Sequence, residues 1–343
     1  MHHGKGIGPG PPHPVFSERL NLALTSGIFR VPEAGRIAVI GPRGGDDLGA
    51  LPRDRVQVVS RHYPDHVWFR QAGYDTATRI GGPYSAAIIC LPRAKAEARD
   101  TIRRARETTT GPIAIDGQKT DGVDSILKEI RKRANTGEAL AKAHGKLFTF
   151  NGGTFDDWAP SDEVPVEGRF RTAPGVFSAD RVDPGSRALA EAILGELKGH
   201  VVELGAGWGY LADTVLKNPD VASLDLVESD FEALEAAKSN IGDARARFRW
   251  ADARDFRPAT PADHVVTNPP FHESRAADPG LGQAFIRSAA SMLTPRGTLW
   301  LVANRHLPYE ATLQDAFKEV RILSQDGSFK LYTASLPRTP RKG

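Results

Sequence analysis

Cysteine is nearly absent, with Cys90 the single example in 343 residues. That excludes an internal disulfide and leaves no metal site built on several thiolates to expect. Cys90 itself sits inside the apolar run AAIICLP and reads as a small buried apolar residue, so a reducing cytoplasm is the expected compartment. No apolar run approaches the roughly 20 residues that a spanning helix needs. The opening residues MHHGKGIGPGPPHP lack an apolar signal core, and their Gly, Pro and His content predicts a disordered lead-in over residues 1–15. No internal repeat is evident residue by residue, and nothing in the sequence sets an oligomeric state beyond the default expectation of a monomer.

Hydrophobic residues make up 40% of the chain and charged residues 25%, an ordinary balance for a soluble protein long enough for two cores. The net charge of +3 hides an asymmetry. Residues 1–150 hold 23 Lys/Arg against 15 Asp/Glu, a balance of +8, and the remainder holds 22 against 27, a balance of −5. The densest basic stretches are PRAKAEARDTIRRARE (92–107) and KEIRKR (128–133). They read either as a surface for a polyanion, with Arg103, Arg104 and Arg131 as its contacts, or as solvated helix faces whose arginines meet acids at helical spacing.

Short apolar runs bounded by turn residues predict strands at RIAVIG, RVQVVS, AAIICLP and GPIAID in the first half, with helices over 94–108 and 123–134. A Pro/Asp/Glu-rich stretch without periodicity then predicts a linker over 152–174, separating a domain of residues 16–151 from one of 175–343. The second series has a helix over 186–198, then strands at HVVELG, SLDLVES, RFRWAD, ADHVVTN and GTLWLVAN. Its helices fall near 209–217, 231–240 and 281–293. VRILSQDG and SFKLYTASL are too close to be joined by a crossover and must pair antiparallel. The fold class expected is therefore α/β: two tandem doubly wound, Rossmann-like sheets, the second ending in an antiparallel strand pair.

In VVELGAGWGYLADTVL, Gly205, Gly207 and Gly209 lie between a strand and a helix, where glycine allows a sharp turn and close approach of backbone to a ligand. The spacing G-x-G-x-G departs from the dinucleotide pattern G-x-G-x-x-G, which disfavours a pyrophosphate and a nicotinamide-dependent oxidoreductase. Glu228 ends the next strand, placed to hold ribose hydroxyls. Asp252 follows another strand as an acceptor for an exocyclic adenine amine, with an ordinary turn aspartate as its alternative. The fourth strand runs into Asn268-Pro269-Pro270-Phe271-His272. In a doubly wound sheet these strand ends face one crevice, the expected site of a nucleoside cofactor.

The order of glycine loop, strand-end acid and NPPF resembles the class I S-adenosylmethionine-dependent methyltransferases that act on exocyclic amines. GVFSADRVDPGS (175–186), NPPFH (268–272), VANRHLPYE (302–310) and GSFKLYTA (327–334) are similar, more narrowly, to bacterial ribosomal RNA guanine-N2 methyltransferases of the RsmC type. The resemblance implies S-adenosylmethionine as cofactor and a guanine N2 amine of small-subunit 16S rRNA as target. Guanine-N2 methylation of large-subunit rRNA, adenine-N6 methylation and a non-catalytic RNA-binding assembly factor stand as alternatives. It also implies that the first half is a degenerate copy that has lost the cofactor. AVIGPRGGDD lacks the G-x-G-x-G spacing and CLPRAK stands where the second half has TNPPFH, in keeping with this. IDGQKTDG (115–122) is expected to be a structural turn.

The cofactor residues so implied are Phe177, Ser178, Asp183, Glu203, Gly205, Ala206, Gly207, Gly209, Glu228, Ser229, Asp252, Ala253 and Asn268. Asp183 also reads, from VDPGS alone, as a helix N-cap followed by proline at the first helical position. Asn268 and the carbonyl of Pro269 would accept hydrogen bonds from the target amine, with Pro270 stiffening the segment. Phe271 would stack on the base and His272 would touch base or RNA. The segment VANRHLPYE (302–310) is expected to wall the base pocket, with Tyr309 packing in the core as its alternative reading.

Overall fold

The structure is a computed structural model that describes residue 13 and residues 15–160, 165–270 and 279–338. The described residues divide into two compact units, one up to residue 160 and one from residue 165 onward.

In the first unit the strands are β1 (Ile37–Ile40), β2 (Val56–Val59), β3 (Asp75–Ala77), β4 (Ala86–Cys90), β5 (Ile113–Gln118), β6 (Asn135–Thr136), β7 (Leu140–Lys142) and β8 (Gly145–Asn151). The helices are α1 (Phe16–Thr25), α2 (Tyr63–Gln71), α3 (Lys95–Thr108) and α4 (Val123–Ile130). The second unit has β9 (Gly199–Leu204), β10 (Val221–Glu228), β11 (Ala246–Trp250), β12 (Ala262–Thr267), β13 (Leu293–Asn304), β14 (Phe317–Gln325) and β15 (Phe329–Pro337). Its helices are α5 (Pro184–Ile193), α6 (Tyr210–Leu216), α7 (Phe231–Asn240), α8 (Pro279–Met292) and α9 (Glu310–Ala316).

The two sheets share one plan. Their orders are β3-β2-β1-β4-β5-β8-β6 and β11-β10-β9-β12-β13-β15-β14. In each, five parallel strands are closed by an antiparallel partner of the fifth. The expected pairing of the last two strands is present, β14 against β15. Strand order reverses between β9 and β12, which opens a crevice at their carboxyl ends.

Helices cover both faces of the second sheet, so its inner strands are apolar on both sides. Val201, Leu226 and Val266 join the core under α5 and α6, whereas Val202, Leu204 and Val265 join the core under α8. Tyr309 belongs to that second core and is fully buried, so of its two readings the core one holds. Gly282 on α8 makes room for it: a Cβ there would lie 1.8 Å from the Tyr309 hydroxyl oxygen.

The stretch predicted as a linker is anchored at both ends. Phe155 and Trp158 are buried in a core of the first unit, and Val166 and Phe170 in a separate small cluster of the second unit, where the Phe170 ring lies tilted against Trp208 at 5.1 Å. Most of the expected lead-in lies outside the described residues, but His13 bonds to Asp46 through both its backbone N–H and its ring, each at 2.7 Å. The IDGQKTDG turn is structural: Asp116 pairs with the buried Arg19, and Gln118 and Asp121 cap each other. Among the described residues no helix is long and apolar enough to cross a membrane.

Candidate active site

β9 ends in Glu203-Leu204 and the chain then turns through Gly205, Ala206, Gly207 and Trp208 into α6. Gly205, Gly207 and Gly209 have φ of +72°, +55° and +92°, backbone that side chains with a Cβ rarely adopt. Gly205 and Ala206 donate to the Val227 carbonyl at 2.9 and 3.1 Å, which ties the loop to β10. A Cβ on Gly207 would meet nothing within 4 Å, so this is the point where the backbone is open to a ligand.

Glu228 fixes the same loop from behind. Its Oε2 accepts from the Gly207 N–H at 2.8 Å and its Oε1 from the Asp230 N–H at 2.7 Å. Ser229 reaches Glu228 Oε1 at 3.3 Å. Burial still holds the Glu228 carboxyl above the usual carboxylate range, against the pull of those N–H donors. Glu203, on the strand beside it, is 1% exposed, and its Oε2 has no hydrogen-bond partner among the described residues. Burial, reinforced by the charge of Glu228, pushes its carboxyl well above the ordinary value.

Across the crevice, β12 delivers Asn268. Thr267 anchors the strand end by donating to the Leu204 carbonyl at 2.8 Å. The Asn268 amide donates to Asp183 Oδ2 at 2.9 Å and to Ser186 Oγ at 2.8 Å. Asp183 is at the same time the N-cap of α5, accepting from the Ser186 N–H at 2.8 Å, with Pro184 opening the helix. With both amide hydrogens taken, the group that Asn268 can offer a ligand is its side-chain carbonyl.

These parts form a pocket lined by Phe177, Ser178, Asp183, Ser186, Glu203, Gly205, Ala206, Gly207, Trp208, Tyr210, Leu211 and Asn268. Trp208 donates to the Phe177 carbonyl at 3.1 Å and so holds that segment over the loop, with the Phe177 ring 56% exposed. Among the described residues no lysine or arginine lines the pocket, while two carboxyl groups do.

Eight of the sequence-predicted residues thus meet: Phe177, Ser178, Asp183, Glu203, Gly205, Ala206, Gly207 and Asn268. Glu228 and Gly209 support the loop from outside the lining, as does the neighbouring Ser229. Asp252 and Ala253 are buried away from the lining, and both Asp252 oxygens are held by Arg254 at 2.6 to 2.9 Å. Pro269 and Pro270 follow Asn268 directly, whereas Phe271 and His272 lie outside the described residues. Ser186, Trp208, Tyr210 and Leu211 were not anticipated. A bulky aromatic inside a glycine loop was the available signal for Trp208, and the helix-capping motif was the signal for Ser186.

The first unit keeps the plan, but its strand ends carry other groups. Gly44 donates to Asp65 at 2.8 Å, Arg43 to Asp46 at 2.8 Å, and the buried Leu91 follows β4 where Asn268 follows β12. His13, Asp46 and Cys90 bring ligand atoms within 4.8 Å of one another. Burial pushes the Cys90 thiol up, with Asp46 and Asp116 adding to it. Of the basic residues, Arg103 is bound to Asp100 and Glu107 at 2.7 and 2.6 Å, Arg104 is 3.9 Å from Asp100, and Arg131 is exposed.

The family model described as Methyltransferase small domain matches residues 167–333. Among curated proteins, the ribosomal RNA small subunit methyltransferase C of Pectobacterium atrosepticum is 35% identical over 243 residues, 67% of this chain and 68% of that one. The protein of the same name from Serratia proteamaculans is 31% identical, covering 83% of both chains. Among solved structures, the T. thermophilus 16S rRNA N2 methyltransferase RsmC, in complex with AdoMet and guanosine, is 23% identical. It matches with a TM-score of 0.77 over 98% of this chain and 96% of its own, a likeness of fold. The chain belongs to the ribosomal RNA small subunit methyltransferase C family.

Proposed function

We propose that the protein transfers a methyl group from S-adenosylmethionine to the exocyclic N2 amine of a guanine in 16S rRNA of the small ribosomal subunit. The observation that carries this reading is the Asn268 amide, whose hydrogens are spent on Asp183 and Ser186. A carbonyl so fixed is an acceptor for an amine N–H and not a donor to a ring nitrogen or phosphate.

The pocket fits the cofactor. Among the described residues it is lined by carboxyl groups and by no basic residue, it holds a buried carboxyl oxygen without a partner, and Gly207 leaves its backbone open. Asp183 and Glu203 would hold the amino-acid end of the cofactor, and Glu228 a ribose hydroxyl through the lone pairs that Gly207 and Asp230 leave free. When bound, the cofactor supplies an electrophilic methyl group.

A guanine N2 lone pair is delocalised into the ring, so the amine is a poor nucleophile. Asn268 Oδ1 accepts one of its hydrogens and the Pro269 carbonyl the other, which localises the lone pair and fixes its direction. Pro269 and Pro270 make that segment stiff. The proton leaves the methylated amine for solvent, so no strong general base is required. Phe271, and the exposed Phe177 ring at the rim, are available to stack on a base drawn out of its helix.

The positive first half supplies sequence-independent affinity for rRNA. Within it Arg104 and Arg131 carry more of that role than Arg103, whose charge is matched by two acids. This chemistry belongs in the cytoplasm, where the ribosome is assembled. The test is transfer of tritiated methyl from S-adenosylmethionine to small subunits isolated from a strain lacking the enzyme. Labelled 16S rRNA is expected, and absence of label in either subunit or in free rRNA contradicts the reading.

A further inference from the structure

Glu203 and Glu228 are two buried carboxyl groups on adjacent strands with opposite surroundings. Glu228 is met by backbone N–H groups of Gly207 and Asp230, which favour its ionised form. Among the described residues Glu203 is met by none, and its Oε2 stands unpartnered in the wall of the pocket. Among the described residues, the other titratable groups around that pocket give it no positive charge. Asp183 reaches in from the cap of α5 and Tyr210 from α6. The arginines beside Tyr210 are committed, Arg187 to Glu167 at 2.5 Å and Arg169 to Asp213 at 2.6 Å. A charge shared between two such carboxyl groups settles on the one with donors, and the proton stays on the other.

We propose that Glu203 holds a proton in the ligand-free protein and gives it up to solvent when the cationic cofactor binds, so that cofactor binding and proton release are one event. The inference rests on the reading of this pocket as an S-adenosylmethionine site. The balance is simple: a neutral carboxylic acid and a cationic ligand become a carboxylate–cation pair, and one proton passes to the buffer. Glu203 acts here as a counter-ion that is switched on by its ligand. The affinity then depends on pH below about pH 7, where the cofactor's sulfonium is permanently charged and its α-ammonium is still protonated, so that the dependence belongs to Glu203. Below the pH at which free Glu203 ionises, Kd falls by up to about tenfold per pH unit, and above it Kd is flat.

Calorimetric titration of the full chain with S-adenosylmethionine at pH 7, in phosphate, HEPES and Tris, tests this directly. The slope of binding heat against buffer ionisation enthalpy counts protons. The wild type is expected to release a large fraction of one proton per cofactor, and Glu203→Gln close to none. Binding by the wild type with zero slope overturns the proposal, as does equal release by Glu203→Gln. Should that variant fail to bind, the wild-type Kd measured from pH 5 to 7, where the cofactor keeps its charges, decides: tightening with rising pH supports the proposal and a flat profile overturns it. Absence of binding by the wild type in every buffer contradicts the cofactor assignment instead, so the two failures are distinct.

Discussion

Asp183 Oδ2 accepts hydrogen bonds from two groups at once, the Ser186 backbone N–H at 2.8 Å and the Asn268 side-chain amide at 2.9 Å, although Asp183 and Asn268 are 85 residues apart. One carboxylate oxygen thereby starts α5 and sets the direction of the Asn268 carbonyl. Removing it with Asp183→Ala is expected to cost about 1 kcal/mol of stability through the lost cap, a fall in Tm of roughly 2–4 °C. The loss in kcat is expected to be larger, on the order of 100-fold, because the acceptor is no longer aimed. Thermal melts beside single-turnover methyl transfer check this, and a variant that loses stability but keeps its turnover contradicts it.

Gly207→Ala and Gly209→Ala both place a side chain on left-handed backbone, yet their consequences divide. At Gly207 the added methyl enters open space in the pocket lining, so the larger effect is expected on the Kd for S-adenosylmethionine. At Gly209 a Cβ would come within 3.1 Å of Ile241 and 3.5 Å of Ala237, so the larger effect is expected on stability. Urea midpoints and calorimetric affinities separate the two, and the same ranking in both measurements would argue against this division.

Gly282 lies beneath Tyr309, and Gly282→Ala is predicted to overpack the α8 core by about 1–3 kcal/mol without touching the pocket. Trimming the ring hydroxyl in the double variant with Tyr309→Phe relieves the nearest clash and is expected to recover part of the loss. Denaturant titration of the three variants is the check, with wild-type stability for Gly282→Ala the contrary result.

Burial raises the carboxyl groups of both Glu203 and Glu228. Between the ordinary glutamate range and these raised values the folded chain keeps protons that the unfolded chain has lost. Unfolding free energy of the ligand-free protein therefore falls as pH rises through that window. Glu203→Gln removes the largest part of this slope, so its Tm relative to wild type should be higher at pH 8 than at pH 5. Parallel Tm profiles for the two proteins would contradict the assignment.

Much of this was legible in the sequence because its signals are local. The apolar runs of β9, β10 and β12 announce strands buried on both faces, and the glycine loop and NPP segment follow from spacing alone. The three-residue β3 and β7 and the two-residue β6 carry no such run and were not read. The part of the site that was missed depends on contacts across the fold. Ser186 reads as a helix residue until Asn268 arrives 82 positions later, and the role of Trp208 becomes plain only when it meets the Phe177 carbonyl. The stretch 152–174 has the composition of a tether, but its Phe155, Trp158 and Phe170 are buried in the cores on either side.

The central claim is that Asn268 presents its carbonyl to a guanine N2 amine of 16S rRNA. It is tested most directly by mass spectrometry of nucleosides from small subunits incubated with methyl-deuterated S-adenosylmethionine and either the wild type or Asn268→Ala. The account predicts labelled N2-methylguanosine with the wild type, and at least about 100-fold less with a variant that still melts cooperatively and still binds the cofactor. Label appearing as N6-methyladenosine, or equal labelling by Asn268→Ala, would contradict it.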